Sequence, residues 1–242
     1  MFVTLAVDII IRLVDIIIRL VDIIIRSFPQ LMKGLAVTIG LTLTSVFIAS
    51  ILAIIMAIGR CFSRQPIPFL ILIYEKVFRG IPLLVIFILI YFGLAQIGIV
   101  IDVFIAAVIG LALHSTAYQI QIFRSAINSI PEGQLIAAKS LGMTNFNAMR
   151  YIILPQMLRL SIPGWSNEFT IVLKDTSITI AIGVIDLMRQ GKYIIVREPS
   201  SALYILLFIA LIYFILVFSI NRGLSYLEKR YVISGLEVST TR

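Results

Sequence analysis

Long apolar runs alternate with short polar interruptions along most of the chain. A helix needs about 20 predominantly apolar residues to cross the hydrocarbon core of a bilayer. Stretches of about this length occur at residues 34–58, 83–101, 103–123, 160–180 and 202–220, and we number them spans one to five. The pattern predicts an all-α integral membrane protein with five transmembrane helices.

The longest polar interruption lies between spans three and four, at residues 129–155, and we call it the elbow. Ser129 and Glu132 have the spacing of a capping box, which predicts the start of a helix. This helix is expected to end at Gly142, which can adopt the left-handed conformation of a C-cap, and Thr144 can cap a second helix. The elbow is therefore predicted to be a helix-turn-helix.

A helix-turn-helix can also bind DNA in the major groove. However, Lys139 and Arg150 are the only basic residues in the central part of the elbow, and DNA affinity depends on many phosphate contacts. Apolar runs flank the elbow on both sides. We therefore interpret it as a cytoplasmic connection between two spans, in which Ala137 and Ala138 present a flat face to a partner protein. No nucleic-acid partner is expected.

A tandem heptad repeat precedes span one, because VDIIIRL, VDIIIRL and VDIIIRS follow one another at residues 7–27. On a helix, each Asp would lie four residues before an Arg along one narrow stripe, surrounded by Ile, Leu and Val. Such a helix could lie in the membrane interface, or the repeat could be an expansion without a function of its own. We treat residues 1–33 as separate from a transmembrane domain at 34–231 and a cytoplasmic tail at 232–242.

Composition supports a membrane protein, and the distribution of charge predicts how the chain is oriented across the membrane. Of its 242 residues, 60% are hydrophobic and 13% are charged, and the mean hydropathy is +1.09, which is typical of membrane proteins. Residues 60–79, 124–159 and 222–242 carry net charges of +3, +3 and +2, which account for the formal net charge of +8. By the positive-inside rule these regions are cytoplasmic. The N-terminus is therefore predicted to lie outside and the C-terminus inside.

Motifs for ATP hydrolysis and for common hydrolase mechanisms are absent, since the sequence has no GxxxxGK[ST], HExxH or GxSxG. We expect no catalytic residue, metal or cofactor. Ionisable groups at membrane depth are functional candidates because burying them there is costly. Glu168 in span four is the sharpest candidate for a substrate or gate residue, and a structural carboxylate is the alternative. His114 in span three is a weaker candidate, since one hydrogen bond between helices can satisfy a neutral imidazole.

The elbow resembles the EAA loop of permease subunits of ABC importers, whose pattern is EAA, three residues, Gly, nine residues and I-x-L-P. The matching positions are Ile136, Ala137, Ala138, Gly142, Ile152, Leu154 and Pro155. The flanks are similar to the polar amino-acid uptake branch of this family: RGIP at 79–82, STAY at 115–118, LPQ at 154–156, NEF at 167–169 and KDTS at 174–177. The resemblance covers roughly residues 33–231.

This resemblance implies a type I ABC importer permease fold in the bacterial cytoplasmic (inner) membrane. An extracytoplasmic binding protein would deliver a polar or basic amino acid to a homo- or heterodimer of permeases. Two separate ATPase subunits would bind ATP and would also bind the elbow at the EAA-like positions. The implied substrate path comprises Asn167, Glu168, His114, Ser115, Thr116 and Tyr118. The implied gate or structural motif comprises Arg79, Gly80, Pro82, Lys174, Asp175, Thr176 and Ser177.

The chain departs from the family pattern at three positions. Ile136 stands where the motif has its Glu, Gln121 where a Glu is common, and Ile86 where a Gln usually occurs. A polar contact with the ATPase is therefore missing or is made by Glu132 or Gln134.

Two other classes remain open. A secondary-active amino-acid carrier would usually have repeated halves, and a non-coupled membrane component would not require the elbow. Co-purification of an ATPase would distinguish the importer from both.

Overall fold

A computed structural model describes the backbone of residues 2–231 and the side chains of residue 18, residues 21–226 and residue 228. This part of the chain is almost entirely helical, with short connections and no strand. Its α-helices are α1 (Phe2–Phe62), α2 (Ile67–Gly80), α3 (Leu83–Ile88), α4 (Leu94–Gln96), α5 (Val103–Asn128), α6 (Glu132–Ser140), α7 (Asn145–Ala148), α8 (Leu154–Asp175), α9 (Leu187–Arg197) and α10 (Ala202–Tyr231). π-Helical turns at Leu89–Gly93 and Met149–Ile153 join α3 to α4 and α7 to α8, and 3-10 turns lie at Thr176–Ala181 and Pro199–Ser201.

Within the described residues, three helical stretches are long and apolar enough to cross a membrane alone: Val21–Phe62, Val103–Asn128 and Pro199–Tyr226. They correspond to predicted spans one, three and five. The helices at Ile67–Gly80 and Leu83–Gln96 bend by 102° and give a fourth crossing if they count as one broken span. The helix of span four is less apolar than these, so the five-span topology stays a prediction, as do the positions of the termini.

The centre of the bundle is the packing of α1 against α5, with α8 packed against both. Small residues allow the first two helices to approach closely, since Ala49, Ala53, Ala57 and Ala106 are completely buried. A Cβ atom on Gly110 would lie 2.6 Å from the ring of Phe87, so α3 also meets α5 at van der Waals distance. Small residues at helix contacts are the usual solution in membranes, where close packing replaces the hydrophobic effect.

Span two differs from its predicted extent. The helix that begins at Leu83 ends at Gln96 and does not continue to residue 101. Gly98, which has a φ of +85°, turns the chain away from the helical direction. The sharp bend before Leu83 follows from Pro82, because a proline lacks the N–H that a continuing helix would need.

The heptad repeat continues the helix of span one without a break. At 1.5 Å per residue, α1 is about 90 Å long, roughly three times the thickness of the hydrocarbon core. Apart from Ile18, which is exposed, the side chains of the first two copies lie outside the described residues. In the third copy, Arg26 Nε is 2.8 Å from Asp22 Oδ1, which confirms the predicted ion pair there. The interfacial and the expansion interpretations both stay predictions.

A separate hydrophobic cluster forms where α1, α9 and α10 meet. Leu31 packs there with Leu187 and Ile205, and the repeat contributes Ile23. The hydropathy pattern did not predict α9, because an 11-residue amphipathic helix in a stretch with many charges is too short to be a span.

Asp186 is the N-cap residue of α9, the short helix of this cluster. Its Oδ1 accepts a hydrogen bond from Arg189 N (2.9 Å) at the start of α9, while its buried Oδ2 has no hydrogen-bond partner among the described residues. Burial raises the pKa of this carboxyl from 3.8 to about 6, and the backbone hydrogen bonds offset only part of this effect.

The pKa shift predicts a pH-dependent stability. The folded state retains the proton of Asp186 up to about pH 6, whereas an unfolded segment loses it near pH 4, so unfolding releases a proton in this window. We expect the thermal midpoint of the purified protein to fall as the pH rises from about 4 to about 6, and Asp186→Asn to reduce this slope. Asp102→Asn, which removes an exposed carboxylate at the cap of α5, is the matched control for the change in net charge.

Candidate functional site

One directed chain of hydrogen bonds crosses the centre of the bundle from α8 through α1 and α5 and back to α8. Trp165 Nε1 donates to Ser50 Oγ (2.8 Å), and Ser50 Oγ donates to Gln119 Oε1 (2.8 Å). Gln119 Nε2 donates to Ser115 Oγ (3.1 Å), which donates to Glu168 Oε1 (2.7 Å). These five residues form the buried network. Because every donor points toward the next acceptor, the chain requires an acceptor at its end, and the carboxylate supplies it.

Glu168 is only 4% exposed in this structure, and Ser115 is completely buried. Neither of the two ion pairs found among the described side chains involves Glu168. In this conformation the carboxylate therefore links α8 to α5 and does not face open space.

A second set of polar side chains is exposed beside the buried network, and we call it the open polar face. It consists of His114, Tyr118 and Gln121 on α5 and Asn167 and Lys174 on α8, and at Lys174 it borders α10, which lines a pocket beside this lysine. The three α5 residues are separated by four and three positions and the two α8 residues by seven, so each set lies along one side of its helix. His114 and Tyr118 are partly exposed, and the other three are exposed.

The two stripes lie next to each other. A Cβ atom on Gly164 would lie 2.9 Å from Ile122 Cγ2, so the facing sides of α5 and α8 are in close contact. The bond between Trp165 and Ser50 places α1 on one side of this pair of helices. Since helical positions advance by about 100° per residue, both polar stripes fall on the other side of the pair, away from α1.

The RGIP motif borders this face. The guanidinium carbon of Arg79 lies 4.9 Å from the ring centroid of Tyr118, and the rings of Tyr118 and His114 are 5.0 Å apart. Exposed polar and charged groups at membrane depth are costly against acyl chains. The open polar face is therefore suited to contact water or another protein subunit.

The six residues of the implied substrate path are divided between these two environments. His114, Tyr118 and Asn167 lie on the open polar face, and Ser115 and Glu168 belong to the buried network. Thr116 is completely buried, and its hydroxyl donates to Ala112 O (2.6 Å) within the same helix.

The elbow ends its first helix as the sequence predicts. Gly142 has a φ of +80°; its N–H bonds to Lys139 O (2.9 Å), and Met143 N bonds to Ala138 O (3.1 Å). This pair of bonds is a Schellman motif, which requires a left-handed residue at the position of Gly142. Thr144 Oγ1 accepts from Asn147 N (3.2 Å), so the second predicted cap is also confirmed.

The predicted capping box is wrong. Pro131 occupies the N-cap position of α6 without a side-chain hydrogen bond. Ser129 Oγ instead donates to Ala126 O (2.8 Å), so its hydroxyl satisfies the end of α5 and is not available to α6.

The elbow exposes three large apolar side chains among its polar ones. Ile136, Leu141 and Phe146 are 63%, 84% and 70% exposed. Ala138 is buried against the bundle, so the prediction that it presents a flat face to a partner is wrong, whereas Ala137 is exposed. Gln134 Oε1 accepts from Gln156 Nε2 of α8 (2.6 Å), so this amide oxygen is already engaged with the bundle. The second elbow helix continues through the π turn into α8, which carries Asn167 and Glu168.

The sequence matches a known protein family over most of its length. A family model described as "binding-protein-dependent transport system inner membrane component" matches residues 49–233. The chain belongs to this family. The permease is the membrane subunit of an ABC importer in the bacterial inner membrane, and the ATPase is a separate subunit.

Several relatives cover most of the permease. A probable amino-acid permease protein, YxeN of Bacillus subtilis (strain 168), is 40% identical over 172 residues, which are 69% of this chain and 75% of YxeN. The L-cystine transport system permease protein TcyB of the same organism is 36% identical over 203 residues, or 84% and 87% of the two chains. A crystal structure of an amino acid ABC transporter with histidines is 38% identical, with a TM-score of 0.79, and the match covers 86% of this chain and 96% of that one.

The KDTS residues of the permease form the end of α8. Thr176 Oγ1 donates to Leu173 O (2.7 Å), and Ser177 Oγ donates to Lys174 O (2.7 Å), so both hydroxyls satisfy carbonyls that the end of the helix leaves free. Asp175 is the last residue of α8. Gly80 and Pro82 flank the bend between α2 and α3. These contacts favour a structural role for both motifs, apart from Arg79 and Lys174 at the open polar face.

The sequence reasoning missed three members of the buried network, namely Ser50, Gln119 and Trp165. Gln119 follows Ser115 by four residues in a predicted helix, and this spacing could have indicated the hydrogen bond between these two side chains. Ser50 and Trp165 gave no comparable signal, because their pairing depends on the packing of α1 against α8.

Proposed function

We propose that the permease translocates a polar or basic amino acid along the open polar face, driven by two ATPase subunits that bind the elbow. The observation that carries this proposal is the exposure of Gln121 and Asn167 on one side of the bundle at membrane depth. The names of the relatives support the substrate class, since TcyB is an L-cystine permease protein and HisM of Salmonella typhimurium, which is 35% identical over 181 residues, belongs to a histidine/lysine/arginine/ornithine system.

A second permease subunit completes the path in this proposal. The open polar face is one wall only, and without a facing subunit its side chains would meet lipid. Two copies placed face to face would enclose a polar channel with hydroxyl, amide and imidazole groups along its length. An extracytoplasmic binding protein would deliver the amino acid to the outer end of this channel.

The structure of the elbow supports the part of the proposal in which ATPase subunits bind there and drive transport. The exposed apolar side chains of Ile136, Leu141 and Phe146 suit a groove on a partner protein, since buried apolar anchors dominate binding energy. Because α7 runs into α8 through the π turn, a displacement of the elbow would move Asn167 as part of the same helical element. Such a rigid element can transmit a closure of the ATPase subunits to the path.

Cysteine labelling tests the path directly, because Cys61 is the only cysteine in the chain. In a Cys61→Ser background, we expect Asn167→Cys and Gln121→Cys to react with a charged, water-soluble thiol reagent about tenfold faster than Leu207→Cys, since only a hydrated thiol forms the reactive thiolate. Leu207 is the matched control because it is exposed on the apolar surface of α10. If Asn167→Cys reacts no faster than Leu207→Cys, the face is covered by lipid and the proposed path is wrong.

A further inference from the structure

A basic pocket lies at the elbow end of the bundle, where α1 ends, α2 begins and α5 ends. Its volume is about 460 Å³, and the side chains that matter for its chemistry are Arg60, Gln65, Phe69, Leu72, Arg124 and Asn128. The pocket lies between α2 and α5, beside the end of the open polar face at Gln121, and neither the substrate path nor the elbow uses its arginines.

The pocket has an excess of positive charge. Arg60 Nη1 is 2.9 Å from Glu75 Oε1, a charge contact whose angles are not those of a hydrogen bond. Glu75 is 2% exposed and lies behind the pocket, where Gln121 Nε2 also approaches its other oxygen (3.5 Å). Arg124, the second guanidinium, forms no ion pair among the described residues. The pocket and the residue behind it therefore contain two arginines and one carboxylate.

Further groups at the rim are suited to an anion. Gln65 and Asn128 are exposed and carry amide donors. The N-terminus of α2, a helix of 14 residues, lies at the same place and adds the positive end of its dipole. Arginine forks bind both carboxylate and phosphate oxygens through paired hydrogen bonds, but a phosphate group has more acceptor oxygens and can engage both arginines and the rim amides at once.

The apolar side of the pocket indicates that the phosphate belongs to a lipid. Phe69 and Leu72 form part of its wall, and the neighbouring surface of α2 exposes Ile67, Leu70 and Ile73. A pocket with arginines at one end and an exposed apolar helix surface beside it is placed where headgroups meet acyl chains. Basic pockets between membrane helices on the cytoplasmic side bind anionic headgroups in this way.

We propose that this pocket binds the phosphate of an anionic phospholipid in the leaflet that faces the elbow, and that the bound lipid holds the ends of α1, α2 and α5 together. The assignment of the leaflet rests on the proposed cytoplasmic position of the elbow. Binding itself does not depend on the transported amino acid, so the two proposals can fail separately.

The test measures lipid binding to the delipidated permease in neutral detergent by native mass spectrometry, with the thermal midpoint as a second readout. Phosphatidylglycerol and phosphatidylcholine with the same acyl chains are compared, and inorganic phosphate is added in a separate arm. We expect phosphatidylglycerol to bind more tightly than phosphatidylcholine and to raise the midpoint. Arg124→Gln should weaken phosphatidylglycerol binding by about fivefold, the effect of one basic residue at an anionic lipid surface.

Two further variants keep this test decisive. Asn128→Asp places a carboxylate at the exposed rim without changing a buried contact, so it should weaken binding even if Arg124→Gln folds poorly. Arg159→Gln removes an exposed arginine of α8 outside the pocket and should bind like the native protein. Equal binding of both lipids, or equal weakening by Arg159→Gln, would overturn the proposal. If inorganic phosphate raises the thermal midpoint as much as phosphatidylglycerol does, the pocket is a site for free anions and the assignment to a lipid is wrong.

Discussion

Gly142→Val is expected to remove most ATPase binding by the permease and to lower ATP-driven uptake by about tenfold or more. The reason is the backbone of the elbow, since Gly142 has a φ of +80° and a β-branched residue is strongly disfavoured there. A Cβ atom at this position would meet no atom within 4 Å, so the variant acts through the turn and not through a clash. Loss of the Schellman bonds would change the angle between α6 and α7.

Matched variants separate this effect from general damage. Gly142→Asn should retain most ATPase binding, because asparagine tolerates the left-handed conformation better than other side chains. Gly133→Ala, at a helical position of α6 that is equally open, should be neutral. The measurement is co-purification of the ATPase subunit through a C-terminal tag on the permease in mild detergent. Full ATPase binding by Gly142→Val would show that the turn has no part in coupling.

Glu168→Ala is the second variant with a large expected effect, and we expect ATP-driven uptake to fall by about tenfold, because a buried hydrogen-bond donor left without an acceptor costs about 1–3 kcal/mol. Ser115 would lose the acceptor of its hydroxyl, and the directed bonds from Gln119 and Ser50 would lose their end point. The contact between α5 and α8 would then weaken next to the proposed path.

Glu168→Gln distinguishes a structural carboxylate from a substrate-binding one. Glutamine keeps an oxygen that can accept from Ser115, so uptake by this variant should stay within about threefold of the native rate if the buried network is the main role. Ser115→Ala removes the donor and leaves the carboxylate, and its effect should resemble that of Glu168→Ala. Uptake is measured in proteoliposomes that contain the permease, its ATPase and a labelled amino acid. A Glu168→Gln variant as impaired as Glu168→Ala would mean that the charge itself contacts the substrate.

The sequence pattern predicted those parts of the fold that depend on local signals. Spans one, three and five are long apolar runs, and the left-handed turn at Gly142 follows from the conformational freedom of glycine. The capping box failed because Pro131 took the cap position, so Ser129 remained part of the preceding helix end. The bend before Leu83 was marked by Pro82, but its angle of 102° depends on how α2 packs against α1 and α5.

The site shows a different limit of sequence reasoning. His114 and Ser115 are neighbours and both polar, yet one lies on the open polar face and the other in the buried network. Adjacent helical positions differ by about 100°, and a polar pair does not reveal which member faces a partner helix. The same holds for Asn167 and Glu168 on α8. The close contact between Gly164 and Ile122 fixes the choice, and it exists only in the folded bundle.

The most direct test of coupling between the elbow and the open polar face is the thiol reactivity of Asn167→Cys in the assembled complex. The permease carries Cys61→Ser and is reconstituted with its ATPase subunits, and labelling is timed with and without a non-hydrolysable ATP analogue. We expect the analogue to change the labelling rate several-fold, about the effect of a coupling free energy of 1–3 kcal/mol, and Gly142→Val to abolish the change. A labelling rate that the analogue leaves unchanged while the ATPase is bound would contradict the account.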